Sequence, residues 1–147
     1  DIRVEPGVTA MLAAAAAAGA PLGGDFCAIS LSDNLKPWAS IECRLTAAAR
    51  AGFVIALYNP RSRARPRQLA KAFVILGRHL AGETVVLMVK AAGTSDAQVI
   101  VTSLEGANAE LADMRTIVII GAQRTRVIDR GGRPPWVYTP RSEVETS

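Results

Sequence analysis

Three short segments carry residue types suited to holding a ligand against the main chain. They are Pro6-Gly7-Val8-Thr9-Ala10, Ala56-Leu57-Tyr58-Asn59-Pro60 and Ala91-Ala92-Gly93-Thr94. Each pairs small side chains with one or two polar groups. Small side chains let a ligand come close to backbone N–H and C=O groups. Turns between strands and helices also need Gly and Pro, so each segment alone reads equally as plain turn chemistry. A second feature is cationic: Arg61, Arg63, Arg65 and Arg67 fall within seven positions. Guanidinium groups bind carboxylates and phosphates in a two-pronged geometry. The competing reading is a solvated basic face, although Arg beside a helix amino end opposes the helix dipole. Arg124 and Arg126 carry the same two readings. His79 lies between Arg78 and Leu80 with no ligand-like neighbours, as a surface residue would. Cys27 and Cys43 are far apart and form no C-x-x-C pair, so neither a zinc site nor a disulfide framework is expected, and a reducing cytoplasm is the default compartment. No Ser-His-Asp or Cys-His constellation is present, and no residue is assigned as a general acid or base.

The elements that must position these segments follow from hydrophobic period. Residues 2–5 read as an opening strand, broken by Pro6-Gly7. Val8 to Ala18 reads as a helix with Thr9 at its N-cap, ended by Gly19 and Pro21. Asp25 to Leu31 alternates as a strand, and a second helix starts near Pro37 with Trp38, Ile41, Leu45 and Ala48 on one face. Phe53 to Tyr58 and Thr84 to Lys90 are unbroken apolar runs, the pattern of strands buried on both faces. Between them a helix is predicted over 65–80, with Leu69, Ala72, Phe73, Leu76 and Leu80 inward and His79 on it. Gln98 to Leu104 reads as a strand folding back antiparallel. A short helix over 105–112 leads to the strand Thr116 to Ile120, and a hairpin or arm trails to the C-terminus. The order β-α-β-α-β-α-β-β-(α)-β implies an α/β domain, a mixed five-stranded sheet with helices on both faces. Ligands on such sheets gather at the carboxyl ends of strands, where all three small-residue segments fall.

Composition sets the outer bounds. The 147 residues suit one domain. Half are hydrophobic, yet 26 are alanine and only 5% are aromatic, which favours close helix packing. No apolar run reaches the roughly 18 residues of a membrane span, and the alanine-rich stretch lacks the basic flank of a signal peptide. The net charge of +4 is carried by residues 61–147, which admits an anionic partner. Aromatics are too sparse for a base-stacking platform, so no nucleic-acid partner is expected. The chain opens on Asp1 with a strand already in progress, the expectation for a piece of a longer protein.

The segments VEPGVTAMLAAAAAAGAPLGGDFCAISLSD, FVIALYNPRSR, KAAGT and TIVIIGAQRTRV occur in order across nearly the whole chain. Together they resemble the precorrin-3B C17-methyltransferases, a cobalamin-biosynthesis branch of the tetrapyrrole methylase superfamily. The LSD and ALYNPRS stretches are the most specific to that branch. The resemblance implies a two-domain enzyme in which S-adenosylmethionine lies between an N-terminal and a C-terminal α/β domain, with residues 1–147 forming the C-terminal one. The family's N-terminal Gly-rich loop and GDP-type motif have no counterpart here. It also implies methyl transfer to C17 of a tetrapyrrole with ring contraction, a cytoplasmic homodimer, and S-adenosylhomocysteine as product. Carried over position by position, Thr9 and Ala10 face the methyl donor. Leu57, Tyr58 and Asn59 line the adenosine pocket, and Gly93 and Thr94 touch the adenine end. Many relatives have Met-Gly where this chain has Tyr58-Asn59, which leaves a backbone contact there. Arg61 and Arg63 would meet substrate carboxylates. Competing readings are methylation of a protein residue or of ribosomal RNA within the superfamily, a non-catalytic structural or dimerising domain, and a flavodoxin-like nucleotide module.

Overall fold

The computed structural model describes residues 1–142. Apolar side chains on both faces decide which strands lie at the centre. β3 (Val54–Tyr58), β4 (Val85–Lys90) and β6 (Thr116–Ile120) are almost wholly buried. β2 (Phe26–Ser30) and β5 (Gln98–Ser103) are more exposed and form the edges of a sheet ordered β2-β3-β6-β4-β5. β2 runs parallel to β3, whereas β6 is antiparallel to both β3 and β4, and β5 is antiparallel to β4. β3 and β4 therefore point the same way, with β6 reversed between them.

Residue alternation sends Ile55, Leu57, Val86, Met88, Val118 and Ile120 to one face, where α2 (Trp38–Arg50) and α3 (Gln68–Leu76) cover them. Val54, Ala56, Leu87, Val89, Ile117 and Ile119 face the other way, toward α1 (Ala10–Ala18). α1 contributes Ala14 and Ala18, whose small side chains let the helix lie close over β6 in one cluster with Ala56, Ile117 and Ile119. The expected mixed five-stranded sheet with helices on both faces is thus the observed architecture.

A second, three-stranded sheet ties the segment after α1 to residues 126–138. It runs β1 (Gly19–Ala20), β8 (Trp136–Tyr138), β7 (Arg126–Ile128), with β1 parallel to β8 and β7 antiparallel to it. The trailing hairpin is present, and its third strand comes from just after α1. Gly19 makes that pairing feasible: its φ is 120°, and a Cβ there would stand 2.8 Å from the Val137 carbonyl oxygen. Thr139 Oγ1 donates to the Pro21 carbonyl at 2.6 Å and shares a 2.8 Å hydrogen bond with Thr125 Oγ1 beneath this sheet. The last part of the predicted trailing arm, 143–147, lies outside the described residues.

Several boundaries differ from the sequence reading. Residues 2–5 form no strand; Ile2 and Val4 are exposed and pair with no described strand. The first helix starts at Ala10 rather than Val8. The third runs only Gln68–Leu76, because residues 62–65 close a loop on themselves (Ser62 N to Arg65 O, 3.1 Å; Arg65 N to Ser62 O, 3.2 Å) and Pro66 bars Arg65 from helical geometry. At its far end Gly77 caps the helix, which leaves His79 in the following turn, exposed. The predicted helix over 105–112 shrinks to one 3-10 turn, Ala109–Leu111, capped by the Asn108 side chain accepting from Glu110 N at 2.9 Å. Among the described residues no helix is long and apolar enough to cross a membrane.

Candidate functional site

The three small-residue segments meet at one edge of the large sheet. β2, β3 and β4 all end there, so the turns at 31–34 and 59–61 leave the sheet side by side and the turn at 91–94 leaves it one strand further on, beyond β6. Pro6–Ala10 follows no strand and reaches the edge through the amino end of α1. Two of these strands end in a left-handed residue that is not glycine: Asn59 and Ala91 both have φ 52°. Asparagine tolerates that region, and its Nδ2 donates to Ser30 Oγ of the neighbouring strand end at 2.9 Å. Alanine in this region costs about 1–2 kcal/mol. The Ala91 carbonyl is fixed by Thr94 N (3.2 Å) and Thr94 Oγ1 (2.9 Å), which hold the turn in place. Such local strain clusters where backbone must face a ligand. Gly93 follows with φ 83°, and the nearest atom a Cβ there would meet is Ala13 Cβ of α1 at 3.7 Å. The rest of that approach is open.

The amino end of α1 closes the edge from above. Thr9 occupies the N-cap position as expected, but its side chain makes no cap bond to the helix. Its hydroxyl is hydrogen-bonded to the Tyr58 hydroxyl, and Met11 N donates to the same Tyr58 oxygen at 3.1 Å. Thr9 and Ala10 are thereby brought beside the end of β3. Ala10, Asn59, Gly93 and Thr94 are exposed, while Thr9 and Tyr58 are half-buried. Leu57 departs from the sequence reading. Alternation turns its side chain to the α2/α3 face, where it is wholly buried, and its backbone pairs with Ile29 and Val118. Its side chain belongs to the core and points away from the α1 side of the sheet.

The arginines divide. Arg61 is already engaged, its guanidinium donating to Glu110 Oε2 at 2.9 Å and to the Pro66 carbonyl at 3.3 Å. Arg63 is exposed beside it. Arg65 reaches across to the turn after β2, 3.9 Å from the Asp33 carboxylate and hydrogen-bonded to Asn34 Oδ1. Gln68, nine-tenths buried, donates to Asp33 Oδ2 at 3.3 Å. Arg124 and Arg126 are elsewhere. β6 is antiparallel to β3, so its carboxyl end opens on the opposite edge, where Arg124 lines a separate concavity of about 740 Å³. At the candidate edge, Lys90 and Asp113 form a 2.7 Å ion pair at the ends of β4 and β6. Hydrogen bonding to Lys90 holds the Asp113 carboxyl below its ordinary range, helped by Arg115 N and Thr116 Oγ1. Burial pushes the Cys27 thiol up, away from reactivity.

Residues 1–108 match the family model described as Tetrapyrrole (Corrin/Porphyrin) Methylases. The chain belongs to this family. Among curated relatives of the tetrapyrrole methylases, it is 57% identical over 141 residues to the Precorrin-3B C(17)-methyltransferase of Sinorhizobium sp, covering 96% of this chain and 56% of that one. It is 47% identical over 139 residues to the Salmonella typhimurium protein named "Probable cobalt-factor III C(17)-methyltransferase", covering 95% and 58%. The solved structure titled "Crystal structure of the methyltransferase CobJ" superposes with a TM-score of 0.87 at 52% identity, over 95% of this chain and 56% of that chain. The chain thus spans about half the length of these relatives.

Sequence reasoning placed the turns after β3 and β4 at this edge, put Pro6–Ala10 there through an opening strand that does not form, and missed the groups that tie them together. The Thr9–Tyr58 link joins residues 49 apart, and the Arg61–Glu110 pair joins another 49-residue separation. Neither leaves a periodic signal. The Asp33–Gln68 contact had one clue, a polar LSDN turn directly after an apolar strand.

Proposed function

We propose that this chain is the C-terminal domain of a methyltransferase that uses S-adenosylmethionine to methylate C17 of precorrin-3B, with ring contraction, in cobalamin biosynthesis. The observation that carries the reading is the convergence of Thr9-Ala10, Tyr58-Asn59 and Gly93-Thr94 on one sheet edge. The names of the 57% and 47% identical relatives support the same substrate class. The residues fit the methyl donor: Gly93 leaves open space where a side chain would stand, and Ala10 and Thr94 are small and exposed. When bound, the donor supplies an activated methyl on a sulfonium. Thr9 and Ala10 would hold it from α1, Tyr58 and Asn59 from β3, and Gly93 and Thr94 from the turn after β4. The chain's part in the rate is positioning, which can supply about 7–11 kcal/mol of such a barrier. The working protein is proposed to be a cytoplasmic homodimer, with the rest of the cleft supplied by an N-terminal domain. Methyl transfer to precorrin-3B and to its cobalt-containing counterpart by the complete enzyme tests the reading. Transfer to neither, with activity on RNA or protein instead, would overturn it.

Gly93→Val in the complete enzyme is expected to weaken S-adenosylhomocysteine binding by about tenfold or more, because a β-branched residue at φ 83° is strained and fills the approach beside Ala13. Calorimetric titration reads the affinity. Unchanged affinity in a folded variant would leave Gly93 a turn residue only.

Arg61 and Arg63 are proposed to meet substrate carboxylates at the mouth of the site. Replacing both with alanine is expected to raise KM for the tetrapyrrole about two- to fivefold, the scale of solvent-exposed ion pairs. Cofactor affinity should hold, and the effect should shrink as salt rises. A wild-type KM at every ionic strength would assign the cluster to loop architecture, with Arg61 serving Glu110 alone.

A further inference from the structure

α1 has an unusual amino end. Its N-cap side chain does not cap it, and its first turn carries no acidic residue. The Thr9 carbonyl accepts from Leu12 N (3.0 Å) and Ala13 N (3.1 Å), which leaves Ala10 N, on an exposed residue, and Met11 N, a half-buried donor needing a partner. That partner is the Tyr58 hydroxyl, from the end of β3. Among the described residues, Tyr58 makes the only hydrogen bonds that join residues 1–18 to the five-stranded sheet. The helix is otherwise held by Met11 and by alanines, which pack closely but specify direction weakly.

The proton order follows from the chemistry of the groups. A phenol oxygen that accepts from Met11 still has its own proton to place. The acceptor within reach is Thr9 Oγ1. Either hydroxyl can be the donor in this link, and a phenol, the stronger donor and weaker acceptor of the two, favours Tyr58 donating. With Tyr58 donating, Thr9 accepts and its own hydroxyl proton is left to donate outward.

We propose that Tyr58 is a positioning residue, a cap on α1 supplied from β3 that also fixes Thr9 as a hydrogen-bond donor toward an oxygen acceptor of the bound methyl donor. The inference rests on the cofactor reading of this edge and moves the role of Tyr58 from the pocket wall to its framework. Its ring packs with the α1 face of the sheet, and both faces of its hydroxyl are spoken for within the chain.

The test is a double-mutant cycle in the complete enzyme, with S-adenosylhomocysteine affinity read by calorimetry and Met11 amide exchange read by NMR. Tyr58→Phe is expected to weaken binding about tenfold, on the scale of one lost hydrogen bond, and to speed exchange of the Met11 amide. Thr9→Val should weaken binding to a similar degree, Thr9→Ser should restore it, and the double variant should be no weaker than the weaker single. A purely structural cap would speed Met11 exchange but leave affinity unchanged, and losses that add in the double variant would mean two independent contacts. Either result overturns the proposal. Failure of the wild-type enzyme to bind S-adenosylhomocysteine would instead overturn the cofactor reading and the ligand-facing role of Thr9 together.

Discussion

Methyl transfer by residues 1–147 alone is expected to fall below about one-thousandth of the complete enzyme's rate. In the proposed reaction the methyl group is already activated on its donor, so the protein's task would be alignment, and a misplacement of about 1 Å costs on the order of a hundredfold. This chain spans 56% of the Sinorhizobium relative, and its candidate edge leaves Ala10, Asn59, Gly93 and Thr94 exposed. A donor held from one side only keeps its freedom to rotate and remains in water. The measurement is single-turnover transfer of a labelled methyl to precorrin-3B, with circular dichroism confirming that the shorter chain is folded. Comparable turnover from the two proteins would show that residues 1–147 hold the whole reaction centre.

Leu57→Ala gives the second large effect, in stability rather than chemistry. Leu57 is wholly buried between β3 and the α2/α3 layer, in company with Ile29, Leu45, Leu76 and Val118. Removing its buried methyl groups is expected to cost about 2–5 kcal/mol, made of lost transfer energy and the cavity left behind. Chemical denaturation of the complete enzyme reads the loss. S-adenosylhomocysteine affinity of the folded protein should remain at the wild-type value. A variant that keeps its stability but loses affinity would return Leu57 to the pocket.

Leu57 and Tyr58 also show what the sequence could and could not convey. The run FVIALY declared a strand buried on both faces, and that strand is β3. An unbroken apolar run has no polar alternation to mark its two faces, so which neighbour met the ligand side was not legible. The mixed sheet was legible because a short turn at 92–96 joins two apolar strands, which leaves antiparallel pairing of 98–103 with β4 as the simple connection; the place of 116–120 between β3 and β4 was not legible. The short parallel strand at Gly19–Ala20 was not, since two residues carry no period and their partners lie at 137–138. Helix ends shifted where local bonding outweighed propensity, as at Pro66 and in the closed loop of residues 62–65. The turns of the candidate site were visible because small and polar residues interrupt apolar runs. The hydroxyl link between Thr9 and Tyr58 depends on how α1 lies across the sheet, which no local pattern encodes.

The reversed strand at the centre of the sheet has a consequence for how the chain assembles. β2 and β3 are joined through one helix, and β4 and β5 through one turn, so each pair can form soon after it is made. The two pairs share no ladder with each other; both lean on β6, with Ile55 and Val86 each opposite Ile120. On a ribosome, β3 and β4 must therefore wait with open inner edges until residue 120 has emerged. Pairings this distant in sequence slow folding, and waiting edges invite association with other chains. A polypeptide cut at residue 108, where the family match stops, would contain both pairs and lack the strand that unites them.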